Sequence, residues 1–147
     1  MNASLEMPAE MKESFLSIGG CPVSATIRII GGKWKVVILY LISYKINRFS
    51  EILRLIEGIS KKILTEQLRE LEGDGIISRK VYPEVPPRVE YTMTEKGLTL
   101  RPIIFAMRDW GILDGPGDKV SVNGLDVVDG AVEVRHQQLR AHFFDHE

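Results

Sequence analysis

The stretch Ile59-Ser60-Lys61-Lys62-Ile63-Leu64-Thr65-Glu66-Gln67-Leu68-Arg69-Glu70-Leu71-Glu72-Gly73-Asp74-Gly75 decides the fold. Ser60 suits a helix N-cap, because its hydroxyl oxygen can accept a backbone N–H of the first turn. Leu64, Leu68 and Leu71 then line one side of a helix running from Lys61 to Asp74, and Gly75 closes it. With successive residues turned by about 100°, Lys62, Thr65, Glu66 and Arg69 fall on the opposite side, with Lys61 at its edge. Upstream, Phe49, Ile52, Leu53 and Ile56 have the spacing of a second apolar helical stripe. Gly58 stands where a helix C-terminus favours positive φ. Two helices joined by a short glycine-containing turn have helix-turn-helix geometry.

Working outward, Ile77, Arg79 and Val81 alternate with Ser78, Lys80 and Tyr82, which predicts a strand. Pro83-Glu84-Val85-Pro86-Pro87 must turn, since proline cannot donate to a ladder. Val89, Tyr91 and Met93 return on one face of a second strand. Thr94 caps a last long helix carrying Leu100, Ile103, Ile104, Met107 and Trp110, which Pro102 is expected to bend. On the N-terminal side, Met7, Met11, Phe15 and Ile18 mark a short amphipathic helix. Cys21-Pro22 opens another, with Val23, Ile27 and Ile30 on one face and Gly31-Gly32 ending it. A third is expected from Lys33 to about Ser43 with Trp34, Val37, Ile38 and Leu41 inward, although its β-branched content also suits a strand.

The order helix, helix-turn-helix, hairpin, helix predicts an α+β, mainly α, winged helix-turn-helix with flanking N- and C-terminal helices. Three parts are expected: a helical arm over 1–20, the winged domain over 21–111 and an acidic extension over 112–147. In the extension, Val120 and Val122, Asn123-Gly124, then Leu125 and Val127 read as a β-hairpin, followed by a turn at Asp129-Gly130 and a short helix.

At 147 residues, 44% hydrophobic and 27% charged, the chain is globular and of single-domain size. A single cysteine excludes an intrachain disulfide framework and a multi-cysteine zinc site. No apolar run reaches the ~18 residues of a membrane span. Met1 to Glu10 carries two glutamates and no basic residue, unlike a secretory signal, so a cytoplasmic location is the expectation. The net charge of −1 conceals an asymmetry: −2 over residues 1–20, +5 over 21–111 and −4 over 112–147. The basic middle points to an anionic partner.

That partner is expected to be duplex DNA. A helix with Lys61, Lys62, Thr65 and Arg69 on its open side can meet phosphates and base edges in the major groove, and Arg88 is expected in the minor groove, supported by Arg79 and Lys80. The competing reading is a winged helix used only for protein–protein contact, for which these charges are a solvated face. A thiol enzyme built on Cys21 is disfavoured, because residues 21–111 contain no histidine to serve as its base.

Several runs carry a closer resemblance. Cys21-Pro22 through Gly31-Gly32-Lys33-Trp34, Arg48-Phe49-Ser50-Glu51-Ile52, Ile59 to Thr65, and Leu68-Arg69-Glu70-Leu71-Glu72 resemble the HxlR-type transcription regulators. So do Tyr82-Pro83-Glu84-Val85-Pro86-Pro87-Arg88-Val89-Glu90-Tyr91, Thr94-Glu95-Lys96-Gly97 and Trp110-Gly111. The resemblance implies a sequence-specific DNA-binding homodimer, with the flanking N- and C-terminal helices as dimerisation helices and each protomer presenting one recognition helix to half of a near-palindromic operator. Met11, Phe15, Ile104, Met107 and Trp110 are the candidate dimer residues; alternatively, this apolar stripe packs on its own winged domain. For Cys21 the resemblance implies a sensor of oxidants or electrophiles, while the position just before Pro22 also reads simply as a small side chain suited to a tight turn. No cofactor or metal is expected, and His136, His142 and His146 read as part of a polar terminus. A small-molecule or thiol-modifying effector is compatible with this reading.

Overall fold

The computed structural model describes residues 6–17 and 20–114. Among these residues, seven helices and two strands follow one another: α1 Ala9–Ser17, α2 Pro22–Ile30, α3 Lys35–Ser43, α4 Phe49–Leu55, α5 Lys61–Gly73, β1 Ile77–Tyr82, β2 Arg88–Met93, α6 Glu95–Leu98 and α7 Arg101–Asp114. The expected order is present, and the β-branched segment at 35–43 is a helix. The hairpins expected in the extension, and its histidines, lie outside the described residues.

The helix-turn-helix is built by its caps. Ser60 Oγ accepts the Ile63 N–H at 3.1 Å, starting α5. The connection from α4 passes through Gly58 at φ +82, a conformation that an L side chain resists. Leu64, Leu68 and Leu71 of α5 are fully buried with Ile38 and Leu39 of α3, Ile52 of α4, Ile76, Ile77 and Ile104. Each such side chain contributes roughly 1.5–3 kcal/mol by leaving water.

The strands pair antiparallel, Ile77 opposite Met93 through Tyr82 opposite Arg88. The segment before α4 adds a short third rung: Arg48 bridges to Glu90, and the Tyr91 N–H donates to the Asn47 carbonyl at 2.9 Å. This ties the wing to the start of the helix-turn-helix. At the far end of the hairpin, Thr94 Oγ1 accepts the Gly97 N–H at 3.0 Å and donates to the Gly75 carbonyl at 2.5 Å, while the Thr94 N–H donates to the Ile76 carbonyl at 3.0 Å. Lys96 Nζ donates to the Asp74 carbonyl at 3.0 Å. The Thr94-Glu95-Lys96-Gly97 run is therefore a clamp on the turn between α5 and β1, with Gly97 seated against the Ile76 carbonyl.

Three sequence expectations need correction. The last helix is two helices, α6 and α7, broken at Thr99 and Leu100; Pro102 is the second residue of α7, where its missing N–H costs no helical bond. α7 itself continues past Gly111 to Asp114. Val37 is exposed, while Leu39 and Ile42 are buried in its place; a helix apolar on nearly every side offers no stripe from which to choose its inner face. Ile104, expected at a dimer interface, is 2% exposed in the protomer's own core.

Candidate nucleic-acid interface

The open side of α5 carries Lys61, Lys62, Glu66 and Arg69, all exposed, with Thr65 half-buried beside them. The Thr65 hydroxyl donates to the Lys61 carbonyl at 2.8 Å, leaving its oxygen able to accept. The helix begins at Lys61, so its first N–H groups and positive dipole end accompany two lysines.

The two faces of the wing hold different chemistry. On the face away from the core, Lys80 Nζ lies 4.7 Å from the Tyr82 ring centre and the Arg88 guanidinium 4.1 Å from it. Arg88 also pairs with Glu84 at 3.4 Å and with Glu90 at 3.5 Å. Sequence reasoning sends Arg88 outward from a proline turn; instead it folds back on Tyr82, its partner across the ladder, between two carboxylates. Glu90 also holds Arg48 at 3.7 Å.

Arg79 sits on the other face, directly opposite Tyr91. Between α5 and the wing lies a cavity of about 240 Å³ lined by Phe49, Thr65, Leu68, Arg69, Glu72, Arg79, Val89 and Tyr91. Tyr91 is 6% exposed, and burial pushes its phenol pKa above the ordinary tyrosine value while neighbouring Arg79 pulls the other way. Among the described residues, Lys61, Lys62, Arg69, Arg79 and Lys80 have no carboxylate within ion-pair distance, whereas Arg48, Arg88 and Arg108 do.

The structure thus brings Arg69, Arg79 and Thr65 together, leaves Lys61 and Lys62 at the start of α5, and keeps Lys80 and Arg88 on the outer wing face. Three residues of consequence escape sequence reasoning. Arg48, just before α4, meets the wing through its bridge to Glu90, and Tyr91 of β2 donates its N–H to Asn47, contacts between segments far apart in sequence. Lys35, buried at the start of α3, pairs with Glu70 on α5. Its position before an apolar run was the available signal.

Cys21 is the N-cap of α2. Its sulfur makes no capping hydrogen bond, yet the nearby Ser24 N–H favours the thiolate and holds the pKa below the ordinary cysteine value. A second surface lies nearby. Val23 and Ile27 of α2 and Ile103, Met107 and Trp110 of α7 are all exposed. Met11 and Phe15 of α1 are exposed as well.

A family model described as HxlR-like helix-turn-helix matches residues 29–116. The chain belongs to the HxlR-like family. HxlR-like relatives include YdeP of Bacillus subtilis (strain 168), an HTH-type transcriptional regulator 54% identical over 92 residues, 63% of this chain and 72% of its own. YybR from the same strain is 48% identical over 103 residues, covering 70% of this chain and 82% of its own. Among solved structures, the redox regulator HypR in its oxidized form is 50% identical with a TM-score of 0.59, over 62% of this chain and 94% of its own. Its reduced form is 49% identical with the same TM-score of 0.59, over 62% of this chain and 90% of its own. The protein is accordingly an HTH-type member of a family of transcriptional regulators, not of enzymes. No helix among the described residues is long and apolar enough to cross a membrane.

Proposed function

We propose that this HxlR-like protein binds duplex DNA by sequence as a homodimer and controls transcription. The observation that carries the reading is α5: a fully buried leucine stripe on one side, and Lys61, Lys62, Thr65 and Arg69 on the other, beside a basic wing. In this reading α5 enters the major groove. Lys61 and Lys62 meet phosphates near its start, Thr65 and Arg69 lie further along the groove, and Arg79, Lys80 and Arg88 serve the wing.

The exposed apolar residues of α1, α2 and α7 support a second copy as partner. Isologous pairing would cover Met11, Phe15, Ile27, Met107 and Trp110 at once and set two recognition helices about 34 Å apart. Cys21 stands at the start of α2, and resemblance to the redox regulator HypR supports an oxidant-responsive thiol. Hydrogen peroxide would take the Cys21 thiolate to a sulfenic acid, releasing hydroxide; the partner subunit's Cys21 thiol, or a small thiol, would then form S–S and release water.

The test is a titration of the full chain against duplex from its own upstream region and scrambled duplex at two salt concentrations. Tight, salt-sensitive binding to one duplex over the other supports the regulator. No binding to any duplex at low salt, pooled genomic fragments included, overturns it in favour of a protein-contact winged helix. Trp110→Asp should convert a dimer to monomer in sedimentation, and an unchanged mass would overturn the proposed pairing.

A further inference from the structure

We propose that the cavity between α5 and the wing is an oxyanion site, in which Arg69, Arg79 and the Tyr91 hydroxyl together grip one phosphodiester of the DNA backbone. The inference rests on the DNA-binding reading and deepens it. Contacts expected separately from the recognition helix and from the wing become one site with a single occupant.

Four observations converge. Arg69 comes from the exposed side of α5 and Arg79 from β1, yet both line the same cavity of about 240 Å³. Neither guanidinium has a carboxylate within ion-pair distance among the described residues, whereas Arg48 and Arg88 of the outer wing do. Tyr91 is buried but lines the same space, and the charges of Arg79, Glu72 and Arg69 all act on its phenol. Thr65, another hydroxyl on the polar side of α5, completes the lining.

The charge count selects the occupant. Two guanidiniums and the Glu72 carboxylate leave one net positive charge around the cavity, which matches the single negative charge of a phosphodiester better than a dianionic phosphate monoester. Guanidinium offers planar paired donors suited to phosphate oxygens, and a phenol O–H adds a third donor. The cavity also opens between the two elements that a duplex would approach. A phosphate held there fixes the angle of the wing against α5, so the register of Lys62 and Arg69 in the groove depends on it.

Salt dependence tests the shared occupant. Each phosphate contact adds about 0.9 to the slope of log affinity against log salt on duplex DNA. Arg69→Ala and Arg79→Ala should each weaken binding to specific and scrambled duplex alike and flatten the slope by roughly one contact. The double variant should flatten it by the same single step. Tyr91→Phe should weaken both duplexes with little change in slope, and Glu72→Gln should tighten both. All five proteins should keep the wild-type thermal midpoint within a few degrees, and they are compared only after that check.

A double-variant slope lower by two steps assigns the arginines to separate phosphates and overturns the shared site. Loss at Arg69 confined to one base sequence assigns it to base reading and overturns it too. If wild type binds duplex and the variants bind as well as it does, the cavity is not a DNA contact and this inference alone fails. Inorganic phosphate that raises the thermal midpoint of wild type, but not of that unimpaired double variant, would assign the site to a free phosphate. A wild type that binds no duplex ends the parent reading and this one with it.

Discussion

Lys35 Nζ lies 2.6 Å from Glu70 Oε2, joining the first residue of α3 to α5, the second helix of the helix-turn-helix. The lysine side chain is 9% exposed and the glutamate 56%. A cation at a helix start opposes the dipole, so Glu70 offsets both that and the cost of burial. Glu70→Ala should cost about 1–3 kcal/mol in chemical denaturation, less than a fully buried pair because water reaches the carboxylate. Lys35→Met keeps the stem and removes the charge, and should cost less than Glu70→Ala. A larger loss for the methionine variant would show that the ammonium stabilises α3 in its own right.

Glu90 holds two cations, Arg48 at 3.7 Å and Arg88 at 3.5 Å. If the wing meets DNA, both arginines must exchange this carboxylate for phosphates. Glu90→Gln should therefore tighten duplex binding several-fold at low salt and steepen the salt dependence by up to about 0.9 for each arginine recruited. Equal affinity and slope in anisotropy titrations would mean that neither arginine reaches the backbone. Arg88→Ala should cost less affinity than Arg69→Ala, since Arg88 begins neutralised.

At Cys21 the sign of the pH dependence follows from the Ser24 N–H, which favours the thiolate more than burial opposes it. Alkylation by iodoacetamide tracks the thiolate. Its rate should rise to a plateau with a midpoint below that of the same chain unfolded in urea. Because the folded pKa is the lower one, the folded state loses this proton first. Its contribution to stability is present above the unfolded pKa and is lost as pH falls through the folded value. Coincident alkylation midpoints would remove the basis for a specially reactive thiol.

Two glycines should respond in opposite directions. A Cβ at Gly97 would overlap the Ile76 carbonyl oxygen, which the Thr94 N–H holds in place at 3.0 Å. Gly97→Ala should lower stability by about 1–3 kcal/mol. Gly111 lies within α7 with open space where a Cβ would go. Gly111→Ala should raise stability by about 0.5–1 kcal/mol through helix propensity. Thermal unfolding of the two variants checks both signs; a destabilised Gly111→Ala would mean that another surface covers this side of α7.

Local rules in the chain were enough for the order of elements. Ser60, Gly58, the leucine stripe and the proline turn each act through neighbours within about one helical turn or one hairpin, where spacing alone defines geometry. The polar side of α5 was legible for the same reason, because Leu64, Leu68 and Leu71 leave only one direction for Lys62 and Arg69. Tertiary structure decided what depends on contacts between distant segments. Arg88 turns back between Glu84 and Glu90, Arg79 joins Arg69 and Tyr91 around one cavity, and Lys35 reaches Glu70. It also separated Ile104, consumed by the core, from Met107 and Trp110, left outside. A periodic stripe says that a helix has an apolar side; only the packed protomer says how much of it is already covered.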